Sequence, residues 1–188
     1  TKGNYNYVLK YEKVFVIWNN SFLDISAEGN YSVIATSTEG CESFSKTIKA
    51  IPSIIATISQ NDITVVDDSE NNSITISTTN LGFGDYEFSL DSEFYNFQDE
   101  PFFDFVSSGI HTIYVRDKNN CGIASIEVSV IGYPKFFTPN NDGQNDTWNV
   151  AGVNENFYPN SLIYIFDRFG KLITKINTSS NGWDGTFN

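Results

Sequence analysis

The stretch PFFDFVSSGIHTIYVRDKNNCGIASIEVSV, residues 101–130, decides the fold class. Its final SIEVSV alternates polar and apolar side chains, which is the period of a strand with one buried face. The same alternation recurs at residues 31–35 and 86–91, and no segment carries the apolar stripe of an amphipathic helix. Clusters of Gly, Asn and Asp separate these segments. The sequence therefore predicts an all-β protein of the β-sandwich class.

The same stretch repeats residues 21–50, SFLDISAEGNYSVIATSTEGCESFSKTIKA, at an offset of 80 residues and without a gap. The aligned identities are Phe22 with Phe102, Asp24 with Asp104, Gly29 with Gly109, Cys41 with Cys121, and Ser45 with Ser125. A repeat of this length is typical of tandem copies of one domain. We therefore predict a partial copy over 1–50 that lacks its opening strands, a complete copy over 51–131, and a different domain over 132–188. The Ile51-Pro52 dipeptide marks the first junction, because proline cannot continue a central strand ladder.

The negative charge is concentrated in the middle of the chain. Of the formal net charge of −12, residues 51–131 carry −11, with two basic residues against thirteen acidic ones. Such a surface repels phosphate backbones, which argues against nucleic-acid binding and is typical of a soluble extracellular protein. The sequence contains no run of eighteen apolar residues that would span a membrane, and no signal peptide opens it. We expect the chain to be a piece of a longer protein or a mature product.

Cys41 and Cys121 occupy equivalent positions in the two copies. Equivalent positions in tandem domains lie about a domain length apart, beyond the roughly 7 Å between Cα atoms that a disulfide tolerates. We predict that the two cysteines do not pair, and that each is a small, buried, reduced side chain that follows a turn.

Residues 132–188 do not continue the repeat. They contain three strand candidates, at 147–150, 162–166 and 171–176. The last two are joined by DRFG, whose Gly170 suits the positive φ of a short hairpin loop. A β-hairpin is predicted here, within a small domain that has a thin core.

The sequence contains no complete catalytic set. GxSxG, HExxH, GxGxxG and phosphate-binding loops do not occur. The one histidine, His111, is in phase with the inward-facing Ile113 and Val115, which favours a core or boundary position over a catalytic one. The carboxylates of the loop region are Asp91, Glu93, Asp99, Glu100 and Asp104. Carboxylates in such loops are usually solvated rather than paired for glycoside hydrolysis, so we expect no enzymatic activity.

Two aromatic clusters raise the question of carbohydrate binding: FYNF at residues 94–97 and FFDF at residues 102–105. Exposed rings can build a platform for a sugar, whereas buried rings fill the core of a small sandwich. The sequence favours the core, and a glycan or another surface ligand is the alternative.

FFTPNNDGQND, residues 136–146, combines oxygen-bearing side chains with Gly143. Asn140, Asp142, Asn145 and Asp146 carry the hard oxygen ligands that calcium prefers, although their spacing departs from that of an EF-hand loop. The alternative is a proline-initiated turn whose Asn and Asp side chains bond their own backbone. We favour the turn and keep calcium as the candidate cofactor.

Three motifs follow one another across residues 133–188: FFTPNNDGQNDTWNV, IYIFDRFGKLI and NGWDG. Together they resemble the type B C-terminal sorting domain, or gliding-motility-associated C-terminal domain, of Bacteroidetes proteins exported by the type IX secretion system. The upstream YEFSLDSEFYNFQDEPFFDFVSSGIHTIYVRDKNNCG resembles the immunoglobulin-like or PKD-like repeats of SprB-type surface adhesins. The resemblance implies tandem immunoglobulin-like β-sandwich domains followed by a β-sandwich sorting domain. Relative to that family the chain ends just after Trp183-Asp184-Gly185, so we expect the sorting domain to be truncated.

The resemblance also implies a route and partners. Such proteins cross the outer membrane through the type IX translocon, with this domain as the address, and remain on the cell surface or are released. The implied partners are a PorP/SprF-like outer-membrane β-barrel protein, the translocon and a PorV-like shuttle. An incomplete sandwich with an unpaired strand edge fits this role, because such edges bind other chains by β-augmentation.

The resemblance places the candidate sorting residues in its three motifs. They are Phe136, Phe137, Pro139, Asn140, Asp142, Gly143, Asn145, Asp146, Arg168, Gly170, Trp183 and Asp184. The Gly, Pro, Asn and Asp members would shape loops, while the aromatic rings and Arg168 would pack or contact the partner. For each residue a purely structural role inside the domain stays open.

Overall fold

The computed structural model describes residues 5–12, 14–16 and 28–186. The chain divides into two compact units, Thr1–Ile54 and Ile55–Asn188. Phe22 and Asp24 of the repeat lie outside the described residues, and the division into three domains stays a prediction. In the described part of the chain no helix is long and apolar enough to cross a membrane.

The first unit contains a four-stranded antiparallel sheet with the strand order β2-β1-β3-β4. Its strands are β1 (Tyr5–Tyr11), β2 (Val14–Val16), β3 (Gly29–Ser37) and β4 (Lys46–Ala50). Leu9 and Tyr31 are buried, and the rings of Tyr11 and Tyr31 lie 5.0 Å apart across the strand pair. Every second side chain of the paired strands therefore lies on the same face of this sheet, as the alternating pattern predicts.

The second unit begins with two antiparallel three-stranded sheets, ordered β10-β9-β7 and β5-β6-β8. Their strands are β5 (Ile63–Val66), β6 (Ser73–Ile76), β7 (Tyr86–Leu90), β8 (Phe102–Phe103), β9 (Gly109–Asp117) and β10 (Ile123–Val130). A turn of 3-10 helix, Gln60–Asp62, precedes β5. These sheets confirm the predicted all-β class. The repetition of a whole domain in tandem stays a prediction.

Mostly aliphatic side chains from both sheets form the core of the second unit. Ile74 and Ile76 of β6 pack in one cluster with Phe88 of β7 and with Ile113 and Val115 of β9. Each such side chain stabilises the fold by about 1.5–3 kcal/mol when it is fully buried. Every second residue of β9 is buried from its third position onward, so the period of two in the sequence is the burial period of the strand.

The hairpins β3–β4 and β9–β10 have the same register. Gly29 lies opposite Ala50 in the first, and Gly109 lies opposite Val130 in the second, which preserves the offset of 80 residues. The two glycines also have similar φ angles, +148° and +155°. The aligned sequences therefore form hairpins of matching geometry in the two units.

The C-terminal hairpin lies where the sequence predicts it. It consists of β11 (Leu162–Phe166) and β12 (Leu172–Asn177). In its loop, Oδ1 of Asp167 accepts hydrogen bonds from the N–H groups of Phe169 and Lys171 at 2.8 and 2.9 Å. Gly170 has a φ of +80°, the left-handed conformation that short hairpin loops require. Local chemistry is therefore sufficient to turn the chain here.

Residues 147–150 do not form the predicted strand. Trp148 makes only an isolated antiparallel bridge, with Trp183. The side chain of Asn149 accepts the N–H of Val150 at 2.9 Å, so that amide is not available to a ladder. The strand prediction was wrong because an Asn side chain competes for the backbone inside the segment.

The cysteines do not form a disulfide, as predicted, but both are exposed. The N–H of Cys41 donates to Oγ of Ser37, and the N–H of Cys121 donates to the carboxylate of Asp117, each at 3.2 Å. The backbone N–H of each cysteine thus closes its turn, while the cysteine side chain stays exposed. The prediction of burial was wrong because these residues belong to the turn itself.

The sandwich of the second unit is bonded directly to the C-terminal segment. Oγ of Ser129 donates to the carbonyl of Gly152 at 2.6 Å, and Gly132 pairs with Ala151 in an antiparallel bridge. The N–H of Ile131 donates to Oδ2 of Asp67 at 2.9 Å. The chain therefore passes from β10 into the C-terminal segment along a fixed path.

Gly152 is a point of close approach at this junction. Its φ is +81°, and a Cβ built on it would overlap the carbonyl of Val130. We expect Gly152→Ala to lower the free energy of unfolding by more than the cost of left-handed strain, about 1–2 kcal/mol. The control is Gly143→Ala, because Gly143 has a φ of +85° but open space around its Cβ position. Urea denaturation of both variants measures the difference, and equal losses would contradict the close approach.

Candidate functional site

The Asp146 carboxylate organises the loop of the FFTPNNDGQND motif. Its Oδ1 accepts hydrogen bonds from the N–H groups of Asn140 and Asn141 at 3.1 and 2.6 Å, and its Oδ2 accepts the N–H of Gly143 at 2.7 Å. One side chain therefore satisfies three backbone amides. This is the turn chemistry that the sequence favours.

Asp142 adds a second set of bonds to the same loop. Its carboxylate accepts hydrogen bonds from the side-chain amide of Asn140 at 2.9 Å and from the N–H of Gln144 at 2.8 Å. These donors, the Asn140 amide first, hold the pKa of Asp142 below its ordinary value. The loop also places three residues at positive φ: Asn141, Gly143 and Asn145. Glycine and Asn adopt this conformation at the lowest cost.

The predicted calcium ligands have other contacts in the structure. Asn140 and Asp142 bond to each other, and Asp146 bonds to backbone amides. The carbonyl of Asn145 accepts the N–H of Thr138 at 2.7 Å. Within residues 5–12, 14–16 and 28–186, no three His, Cys, Asp or Glu side chains are grouped to hold a metal ion. Calcium binding by this loop stays a prediction.

Trp148 and Trp183 join two motifs that are distant in sequence. The N–H of each donates to the carbonyl of the other at 2.8 Å. The indole Nε1 of Trp148 donates to the carbonyl of Pro134 at 2.9 Å, and that of Trp183 donates to the carbonyl of Thr186 at 2.7 Å. All four N–H groups are satisfied, so the two rings are held in fixed positions.

The tryptophan rings pack against two further aromatic side chains. The ring of Trp183 lies 5.5 Å from that of Phe137, and the ring of Trp148 lies 6.1 Å from that of Tyr133. A Cβ at Gly182 would lie 2.7 Å from the carbonyl oxygen of Trp148. The NGWDG motif therefore needs a glycine before its tryptophan, because the two backbones touch there.

An open groove of about 430 Å³ lies beside these rings. It is lined by Lys135, Phe136, Phe137, Trp148, Tyr164, Ile165 and Trp183. Tyr164 and Ile165 are consecutive residues of β11, and successive side chains of a strand point to opposite faces. Because the groove touches both of these side chains, it runs along the edge of the strand. In the part of the chain that the structure describes, β11 pairs only with β12, so the groove borders an unpaired edge.

A family comparison identifies this C-terminal segment. Residues 131–188 match the family model of the CHU_C type IX secretion signal domain. The match confirms the resemblance that the three sequence motifs indicate. It covers the C-terminal segment, which is called the signal domain below, and does not extend to residues 1–130.

Comparison with solved structures finds a similarity to the fibronectin(III)-like modules of CbhA from Clostridium thermocellum. The two chains are 13% identical, the match covers 69% of this chain and 80% of that chain, and the TM-score is 0.31. A TM-score this low supports no conclusion about function. No curated protein matches the chain.

The candidate sorting residues fall into four places in the signal domain. The groove contains Phe136, Phe137 and Trp183. A neighbouring cleft of about 310 Å³ is lined by Pro139, Asp146 and Asp184, together with Asn141 and Thr147. The loop around Asp146 contains Asn140, Asp142, Gly143 and Asn145. Arg168 and Gly170 occupy the hairpin tip, where Cζ of Arg168 lies 4.7 Å from the ring centroid of Phe169.

Four residues that line the groove were not among the candidates: Lys135, Trp148, Tyr164 and Ile165. A signal for Tyr164 was present in the sequence. The strand LIYIF has an apolar residue at every position, so the face of the strand that contains Tyr164 is apolar even if it is exposed. In the structure Leu162, Tyr164 and Phe166 are exposed on that face. Exposed apolar side chains on a strand next to a groove indicate a binding surface.

The signal domain uses its carboxylates to hold its own backbone. Its five acidic residues each accept at least one backbone N–H: Asp142, Asp146, Glu155, Asp167 and Asp184. Among the described residues, Lys135, Lys171 and Lys175 form no ion pair. Lys135 lines the groove, and Lys175 lies opposite Tyr164 in the hairpin. One lysine without an ion-pair partner among the described residues therefore lines the aromatic groove, and another lies opposite a residue that lines it.

Several aromatic rings that the sequence assigned to the core of the sandwich are exposed. They are Phe94 (71%), Tyr95 (73%), Phe102 (44%) and Phe105 (76%). The core prediction was wrong for these four, because side chains of β6, β7, β9 and β10 already fill the interior. Phe103 alone of the FFDF cluster packs against that core.

His111 is buried, with 8% of its surface exposed, which confirms the predicted core or boundary position. Its Nδ1 lies 2.6 Å from Oδ2 of Asp91, and its Nε2 lies 2.8 Å from the carbonyl oxygen of Ser107. Both ring nitrogens thus bridge the end of β7 to the loop before β9.

The hydrogen bonds of Asp184 lower its pKa, and we expect them to make the stability of the signal domain dependent on pH. The hydroxyl and then the N–H of Thr186 donate to Oδ1 of Asp184, at 2.6 and 2.9 Å, and lower its pKa from the ordinary 3.8. A lowered pKa means that the carboxylate stabilises the fold fully above the unfolded-state pKa. This stabilisation is lost as the pH falls through the folded-state pKa.

We therefore expect Asp184→Asn to be less stable than the wild-type protein near neutral pH and to lose less stability on acidification below about pH 4. Thermal unfolding of both proteins between about pH 2 and 7 measures this difference. As a control, Thr186→Ala keeps the carboxylate and should raise its pKa in an NMR titration. Parallel stability curves for wild type and Asp184→Asn would contradict the assignment.

Proposed function

We propose that the chain is the C-terminal part of a large secreted cell-surface protein whose signal domain directs it through the type IX secretion system. The observation that carries the proposal is the family match over residues 131–188. A domain of this kind is an address rather than a catalyst. The chain therefore acts by being recognised, and no enzymatic activity is proposed for it.

The surface that the machinery recognises is the aromatic groove along β11. An unpaired strand edge binds an extended segment of another chain through backbone hydrogen bonds. Phe136 is 72% exposed and Tyr164 is 51% exposed, so their apolar area is available for a partner to bury. Lys135 beside them forms no ion pair among the described residues, so its ammonium group is available to an acceptor of the partner.

Two sets of partners follow from the family resemblance. During export the signal domain contacts the type IX translocon and a PorV-like shuttle. After export a PorP/SprF-like outer-membrane β-barrel protein retains it at the cell surface. The fixed junction at Ser129 and Gly152 supports this role, because a domain bonded to its cargo presents the groove in one orientation.

The sandwich upstream of the signal domain acts as an adhesive surface in this proposal. Its net charge of −11 over residues 51–131 keeps it soluble outside the cell. Its exposed rings, such as Phe94, Tyr95 and Phe105, are available to a surface ligand. The whole protein is accordingly proposed to be an adhesin.

The export proposal is tested with the whole chain, because the signal domain is bonded to the sandwich. The chain, together with any residues that follow it in the full-length protein, is fused behind a signal peptide and a fluorescent protein, and the fusion is expressed in a Bacteroidetes host that has a type IX system. We expect fluorescence outside the outer membrane, and periplasmic fluorescence in a strain that lacks the translocon. Periplasmic retention in the intact host would contradict the proposal.

The groove is tested separately with the double variant Lys135→Glu, Phe136→Ala. We expect about a tenfold fall in exported fluorescence, because central aromatic contacts carry much of a binding energy. Phe44→Ala is the control, since Phe44 is a fully exposed aromatic residue in the first unit. Circular dichroism confirms that each variant is folded. Unchanged export of the double variant would contradict the proposal that the machinery binds at the groove.

A further inference from the structure

A second cleft, of about 430 Å³, lies in the sandwich beside β8 and the ends of β7 and β9. The rings of Phe102 and Phe105 line it, and both are exposed. Asp91, Gln98 and Asp104 also line it, with His111 among them. Its volume is within the range of small-ligand sites, about 300–1,000 Å³. The cleft therefore combines exposed rings with hydrogen-bonding side chains.

The backbone holds Phe105 in an unusual conformation. Its φ is +51°, an outlier for a bulky residue that costs about 1–3 kcal/mol. Oδ1 of Asn71 accepts its N–H at 2.7 Å, and the next residue, Val106, bonds to the backbone and the side chain of Asn72. The ring of Phe105 is nonetheless 76% exposed. The unusual backbone conformation therefore does not place this ring in the core, and the ring stays exposed to solvent.

Asp91 supplies an oriented carboxylate to the cleft. Its Oδ1 accepts the N–H of Thr112 at 2.9 Å, and its Oδ2 lies 2.6 Å from Nδ1 of the buried His111. Its side chain is 51% exposed. Each carboxylate oxygen has a further lone pair. The carboxylate can therefore accept a hydrogen bond from a ligand without reorienting.

Gln98 and Asp104 supply two further acceptors. The side-chain amide of Gln98 donates to the carbonyls of Glu100 and Phe102 at 2.9 and 2.7 Å, which leaves Oε1 of Gln98 as the acceptor. The carboxylate of Asp104 is exposed, and among the described residues it forms no hydrogen bond or ion pair. The cleft thus offers three acceptors, and its exposed rings offer apolar faces.

These features define the ligand chemistry. The ligand must donate several hydrogen bonds and must also have an apolar face that packs on a ring. The net charge of −11 over residues 51–131 repels anions. A pyranose fits both requirements, because its hydroxyls donate to carboxylates and its C–H face packs against an aromatic ring.

We infer that this cleft binds a neutral saccharide, with Phe105 as the stacking platform and Asp91, Gln98 and Asp104 as hydroxyl acceptors. The inference rests on the adhesive role proposed above and names the class of ligand. It does not depend on the route of secretion. Binding by the purified chain and export in cells can therefore fail independently of each other.

The test uses the purified 188-residue chain on an array of neutral oligosaccharides, acidic oligosaccharides and Lys- or Arg-rich peptides. We expect binding to one or more neutral oligosaccharides. Titration calorimetry with the best of them should show at least a tenfold rise in Kd for Phe105→Ala, as expected for the loss of a central ring. Phe105→Tyr keeps the platform and should keep the affinity within about threefold.

Phe83→Ala is the matched control. Phe83 is 63% exposed and does not line the cleft, so this variant should leave Kd unchanged. Equal melting temperatures of the Phe105→Ala and Phe83→Ala variants show that both are folded. The inference is overturned if no neutral oligosaccharide binds, if the basic peptides bind instead, or if Phe105→Ala and Phe83→Ala have the same Kd.

Discussion

Burial of one face of β9 is the interaction on which the second unit depends. Ile113 and Val115 are completely buried, and β9 is the strand between β7 and β10. Because β9 orients β10, it also sets the position of Val130, whose carbonyl touches Gly152 at the start of the signal domain. The packing of the sandwich therefore determines where the signal domain sits. Predominantly aliphatic residues fill the interior, so most of the nearby loop aromatic rings are left for the surface.

Where strands end, side-chain oxygens accept the hydrogen bonds of the backbone N–H groups. Asp146 accepts three N–H groups in its loop, Asp167 accepts two in the hairpin, and the buried Asp117 accepts those of Asp85, Asn119 and Cys121. Buried and half-buried amides require such partners. This bonding gives the signal domain defined loops with one regular hairpin. The carboxylates keep their negative charge while they hold the backbone, because their donors are neutral N–H groups.

Period-two patterns and turn residues were enough to predict β3, β7, β10 and the hairpin around Gly170, because these elements depend on neighbours in sequence. The same reasoning failed at residues 147–150, where the side chain of Asn149 competes with a ladder. It also failed for the exposure of Cys121 and Phe105. Exposure depends on whether other side chains already fill the interior, and local pattern carries no information about that.

By itself, the sequence determined the all-β class, the C-terminal hairpin and the three motifs of the secretion signal domain, since alternation, turn chemistry and motif order are local properties. Only the tertiary structure decided that Trp148 and Trp183 pair, that Tyr164 joins Phe136 in one groove, and that Phe105 lines an open cleft. The physical reason is that a site is made of residues distant in sequence. Which of them meet is decided by the packing of the core and by the hydrogen bonds that close the loops.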